Sequence, residues 1–117
     1  MIGLTIVMLR TSLSRKWYFS AVEPHTLVAH SYALEVWVSG PIDPESGMVI
    51  NLRHLDSLLE TLVTPYSGKT VDMDYAELGH TLFRELSKSL GQFKGLTLTR
   101  LQLFRGQDLG LEIESET

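Results

Sequence analysis

Residues 30–39 alternate with a period of two: His30, Tyr32, Leu34, Val36 and Val38 against Ser31, Ala33, Glu35, Trp37 and Ser39. One set is clearly more apolar, which is the pattern of a strand packed on a core by one face only. Gly40 ends it. GPIDPESG, residues 40–47, has two prolines, two glycines and two acids, so its dihedrals are pre-set for turns and it cannot extend a ladder. Upstream, Trp17–Val22 suits a strand with Trp17, Phe19 and Ala21 on one face, and Glu23 and His25 continue that face if the strand runs on. Pro24 lacks the N–H a ladder needs, so the strand ends or becomes an edge there. Gly3–Arg10 also suits a strand, and the join TSLSRK leaves open whether the two pieces are one.

The periodicity then changes. Asn51 can cap a helix whose Leu52, Leu55, Leu58, Leu59 and Leu62 share one face, and Pro65, Ser67 and Gly68 break it. Asp74 with Glu77 three residues on resembles a capping box for a second helix. Leu78, Leu82, Phe83, Leu86 and Leu90 form the apolar side of that helix, His80, Arg84 and Lys88 fall towards solvent, and Gly91 can close it. Leu96–Phe104 is a third strand whose apolar phase switches between Leu98 and Leu101, the mark of a bulge. GQDLG turns the chain into a short last strand, Leu111–Ile113, before an acidic tail.

The order β-β-α-α-β-β classes as α+β, one antiparallel sheet with two helices on one face. The 117 residues, 44% of them hydrophobic, form a single domain, residues 1–117. There is no cysteine, which removes disulfides, thiolate nucleophiles and cysteine zinc sites. A net charge of −4 with scattered basic residues gives no footprint for nucleic acid or an anionic membrane. The apolar start MIGLTIVML is too short to span a bilayer and lacks the basic segment of a secretory signal, so the expected location is cytoplasmic. A small open sheet has two exposed edges, and pairing with further copies of the chain is the natural way to protect them.

Glu23, His25 and His30 are the only clustered metal-capable side chains in the sequence. With a four-residue loop, Thr26–Ala29, His25 and His30 would face each other with Cβ atoms about 5 Å apart and Glu23 on the same face. Two imidazoles and a carboxylate would make an open, catalytic-type zinc set. The competing reading makes them polar hairpin residues near an interface.

Phe19-Ser-Ala, His30-Ser-Tyr and especially GPIDPESGMVINL, residues 40–52, give the chain a family likeness. It resembles the 6-pyruvoyltetrahydropterin and 6-carboxytetrahydropterin synthases, which have the tunnelling fold, or T-fold, and serve tetrahydrobiopterin and queuosine biosynthesis. The likeness covers nearly the whole chain. It implies a homotrimer closing a barrel from its subunits' sheets, often stacked as a homohexamer, with zinc and pterin sites at subunit interfaces and a lyase reaction on dihydroneopterin triphosphate.

At the positions of the family's chemistry the chain departs from that pattern. The three zinc-binding histidines align with Glu23, Val28 and His30, and an isopropyl group has no lone pair to give. The nucleophilic cysteine aligns with Pro24. The family's L-D-H motif aligns with Leu62-Val63-Thr64, whose last two members are no general bases near neutral pH. A glutamate that accepts from the pterin ring aligns with Arg105, which has five donors and no acceptor. That reversal would weaken pterin binding by about a few kcal/mol and would suit a ligand with acceptors or negative charge. Arg105 is thus a candidate ligand-binding residue, or else the partner of Glu112, Glu114 or another subunit. Two readings follow: a divergent, degenerate family member binding a small heterocyclic or anionic ligand at a subunit interface, or an active zinc-dependent lyase with a metal site rebuilt from Glu23, His25 and His30. The sequence leaves both open.

Overall fold

The computed structural model describes residues 10–23, 26–42, 44–45, 47, 49–93, 95–106 and 109–115. Its elements run β1 (Arg10–Val22), β2 (Ala29–Pro41), α1 (Leu52–Val63), α2 (Tyr75–Leu90), β3 (Thr97–Arg105) and β4 (Leu109–Glu114). The four strands form one antiparallel sheet in the order β1-β2-β3-β4. The expected α+β arrangement is therefore the one observed. TSLSRK lies inside β1, and the strand expected over Gly3–Arg10 falls, except for Arg10, outside the described residues.

The period-two face of β2 goes where its apolarity sends it: Leu34, Val36 and Val38 are fully buried, and Phe19, Ala21 and Tyr32 are nearly so. Both helices lie over this face. Asn51 caps α1 by accepting from the Arg53 N–H at 2.8 Å, and Leu55, Leu59, Leu62 and Val63 are the residues it buries. Asp74 caps α2 by accepting from the Glu77 N–H at 2.8 Å, and Leu78, Leu82, Leu86 and Leu90 go into the core. Each cap satisfies a donor that the first helical turn leaves without an intrahelical partner. Gly91 does follow α2, but with right-handed φ of −61°, so the helix ends without the left-handed residue that glycine would permit. Gly79 lets α2 approach β4, since a Cβ there would collide with the Leu111 side chain.

The phase switch in β3 is a bulge. Trp37 pairs with Arg100 and Val38 with Leu98, leaving Thr99 as the extra residue, and its hydroxyl donates to the Trp37 carbonyl at 3.1 Å. Arg15 ties β1 to α1 with a bidentate pair to Asp56, at 2.7 and 2.8 Å. The segment after α1 covers the end of β1's outer edge: Gly68 N–H donates to Ser20 O, Val22 N–H to Lys69 O, and Val71 N–H to Val22 O. This short parallel contact fixes where residues 71–74 run before α2 begins. Among the described residues no helix is long and apolar enough to cross a membrane.

Candidate ligand cleft and the Glu23–His30 pair

The register places one row of side chains across the sheet near the end of α2. Phe19 pairs with Tyr32, Tyr32 with Arg105, and Arg105 with Leu109. Phe19 and Tyr32 stack with ring centroids 5.1 Å apart, and Tyr32 lies 6.5 Å from Tyr75, the first residue of α2. The Arg105 guanidinium sits over the Tyr75 ring, 5.6 Å from its centroid. The Tyr75 hydroxyl donates to the Leu103 carbonyl, with a longer contact to that of Leu109 at 3.3 Å. Sheet pairing, the residue 68–71 strap and the α2 cap thus converge on one point.

There they enclose a cleft of about 480 Å³, within the range of small-molecule sites. Tyr32, Tyr75, Met73 and Arg105 line it, and so do the carboxylate residues Glu23, Asp72, Asp74 and Glu77. Burial pushes the Tyr32 hydroxyl above the usual tyrosine value, Arg105 draws it back by charge and a hydrogen bond, and Glu23 pushes it up again. Tyr75 is raised by burial in the same way, with Arg105 opposing.

At the rim, Glu23 Oε2 and His30 Nε2 are 3.0 Å apart, and Thr26 Oγ1 donates to the same carboxylate oxygen at 3.2 Å. These bonds, His30 first, hold the Glu23 carboxyl below the usual range, with a smaller contribution from the charge of Arg105. The hairpin differs from the four-residue loop expected. Val22 pairs with Ala29 and Ala21 with His30, so residues 23–28 form the loop and the residue across from His30 is Ala21. Glu23 N–H donates to Val28 O and Leu27 N–H to Glu23 O, a closure that puts Leu27 at φ 56°. His25 lies outside the described residues, as does Pro24.

A family zinc needs three protein donors converging at roughly 2.0–2.2 Å. Among the described residues Glu23 and His30 supply two and are bonded to each other; Val28, at the third aligned position, is half exposed and has no donor atom. Among the described residues no three His, Cys, Asp or Glu side chains are grouped so that they could hold one metal ion. The described residues of this hairpin end thus supply two of the three donors such a zinc needs, and His25 lies outside them. Val63, which the resemblance sets at a family acid position, is buried at the end of α1, and the Thr64 hydroxyl is spent on the Glu60 carbonyl at 2.6 Å. The ion pairs to Glu112 and Glu114 are made by Arg100, at 3.7 and 3.2 Å, which leaves Arg105 to the cleft.

Comparison with known proteins identifies the scaffold. The family model for 6-pyruvoyl tetrahydropterin synthase matches residues 22–116. The chain belongs to the 6-pyruvoyl tetrahydropterin synthase family. A curated 6-pyruvoyl tetrahydrobiopterin synthase from Homo sapiens is 44% identical over 46 residues, and one from Drosophila melanogaster is 36% identical over 53. Those matches cover 38% and 44% of this chain, and span only about a third (32%) of either relative's length. In three dimensions the Caenorhabditis elegans 6-pyruvoyl tetrahydropterin synthase superposes with a TM-score of 0.79 at 15% identity, over 96% of this chain and 100% of that one. The archaeosine synthase QueF-Like in its apo form superposes with a TM-score of 0.54, also at 15% identity, over 91% and 94%. The T-fold is thus shared beyond the pterin synthases.

The sequence reading missed Tyr75 and Asp72 as cleft residues and took Tyr32 only as part of an apolar face. A signal existed for Tyr75, which directly follows the Asp74 cap and so must stand at the mouth of α2. None existed for its contact with Arg105, which depends on the β2–β3 register.

Proposed function

We propose that this member of the pterin synthase family is a divergent binding protein, holding a small molecule by Arg105 and not running the zinc-dependent lyase reaction. The observation that carries the reading is the donor set at the two anchor points. A guanidinium stands over Tyr75 where the family resemblance implies a carboxylate, and the paired Glu23 and His30 lack a described third ligand. Arg105 can only donate, so it suits an acceptor-bearing heterocycle or an anionic group and opposes the donor edge of a pterin. Self-association through the sheet edges, as a homotrimer or homohexamer, would place this cleft at a subunit interface. The chain would work in the cytoplasm, with no nucleic acid or membrane as partner.

The test is turnover of dihydroneopterin triphosphate, read as release of triphosphate, with and without added zinc, on protein shown by light scattering to be a folded oligomer. The expected outcome is no turnover in either condition. A second reading has one observation in its favour, the 3.0 Å approach of His30 to Glu23, which would seed a metal site completed by His25. Stoichiometric zinc in untagged protein, with zinc-dependent turnover abolished by His30→Ala, would establish that reading and remove the first.

A further inference from the structure

We infer that the Arg105 cleft selects a zwitterion, a compact molecule with one anionic group and one cationic group, and rejects polyanions such as a triphosphate. The inference rests on the binding reading above and narrows its ligand. Arg105 is the one cationic side chain lining the cleft among the described residues, and it shares that lining with four carboxylates: Glu23, Asp72, Asp74 and Glu77. Two of the four are committed. Glu23 takes hydrogen bonds from His30 and Thr26, and Asp74 caps α2. Asp72 and the Glu77 side chain are exposed and make no hydrogen bond or ion pair among the described residues.

A lone anion would satisfy Arg105 and leave the surplus of negative charge untouched. A polyphosphate would add several charges to that surplus in a space of about 480 Å³, where like charges are only partly screened. The positive end of α2 gives little help to such a ligand, because Asp74 already caps it and Glu77 stands in its first turn. A molecule with a carboxylate for Arg105 and an ammonium for Asp72 and Glu77 answers both signs of charge in the lining. Tyr32 and Met73 add apolar surface to the same lining. The cleft volume also sets a size limit, since it suits a molecule of one ring or a short chain.

The experiment is an NMR titration of the isotopically labelled chain with four probes: 4-(aminomethyl)benzoate, benzoate, benzylamine and inorganic tripolyphosphate. The zwitterion is expected to shift cleft amides and to bind at least tenfold more tightly than either benzoate or benzylamine, with tripolyphosphate the weakest. Arg105→Gln should bring the zwitterion down to the level of benzylamine. The double variant D72N/E77Q, confined to exposed side chains that no core contact depends on, should bring it down to the level of benzoate and raise the affinity for tripolyphosphate. If benzoate or tripolyphosphate matches the zwitterion while still depending on Arg105, the inference is overturned and the cleft-binding reading stands. If no probe shifts the cleft amides, or if Arg105→Gln changes nothing, both are overturned.

Discussion

Under the helices the sheet meets only side chains that repel water, whereas a few residues further along the same strands it meets Arg105, two tyrosines and four carboxylates. The first region is closed. Leu34, Val36, Leu55, Leu59, Leu82, Leu86, Leu101 and Leu103 have no exposed surface, and no polar or charged residue is buried among the described residues. The second is an open cleft whose residues are largely half buried or exposed. The difference teaches where each kind of constraint sits. Burial of leucine and valine stabilises whatever topology satisfies their spacing, at about 1.5–3 kcal/mol for each large side chain, and is indifferent to chemistry. The cleft contributes less to that total and can change its charges without changing the fold. A family scaffold can therefore be kept while the residues around its cleft vary.

The most direct way to break the comparison is to damage the closed region. Leu82 is fully buried on α2, and Leu82→Ala should cost about 2–5 kcal/mol, the lost transfer energy plus the cavity left behind. Urea unfolding followed by circular dichroism reads this directly. Where the variant remains folded, 4-(aminomethyl)benzoate should bind as it does to the unaltered chain. A cost below about 1 kcal/mol would mean that α2 is not held by this core, and a loss of binding without unfolding would mean the two regions are not separable.

This division also explains what could be read from the sequence. The β2 face and the α2 stripe were legible because a period of two or of 3.6 is a local property, visible wherever burial is one-sided. The caps at Asn51 and Asp74 were legible for the same reason, each acting within three residues. That Glu23 and His30 share a face could be expected only on the condition of an assumed hairpin loop. The loop itself could not be read, because its length depends on where the β1–β2 pairing stops. The cleft was least legible of all. Tyr32, Tyr75 and Arg105 are far apart in the chain, and only the β2–β3 register and the residue 68–71 strap bring them together.

Acid sharpens the comparison, with an effect expected to be smaller than that of Leu82→Ala. Among the described residues the closed core holds no group that titrates in acid, so loss of stability at low pH must come from carboxylates at its margins. Glu23 is held low mainly by its bond to His30, Asp56 by Arg15, and Glu112 by Gln102. A carboxyl whose folded pKa lies below its unfolded one stabilises the fold fully above the unfolded value, about 4, and loses that contribution as pH falls through the folded value. Unfolding midpoints measured from pH 6 downwards should therefore stay level and then decline below about pH 4–5. Asp56→Asn should flatten part of that decline. A midpoint that fell steeply between pH 8 and 6 would show that these three carboxylates do not set the acid limit.

The smallest expected effect lies in the hairpin beside the cleft. Leu27 holds φ at 56° and exposes most of its side chain, so it bears the cost of a left-handed backbone and recovers little by burial. That cost is roughly 1–2 kcal/mol for a residue with a Cβ. Leu27→Gly removes it, and the greater freedom of glycine in the unfolded chain returns about 0.5–1 kcal/mol of the gain. A net stabilisation of about 0.5 kcal/mol is expected from urea unfolding. The Glu23–His30 pair should persist, because the bonds closing the loop are made by the Glu23 and Leu27 backbone groups and do not involve the leucine side chain. A loss of stability would show that the exposed Leu27 side chain is covered in the protein's assembled state, and would move the hairpin tip from the open region to an interface.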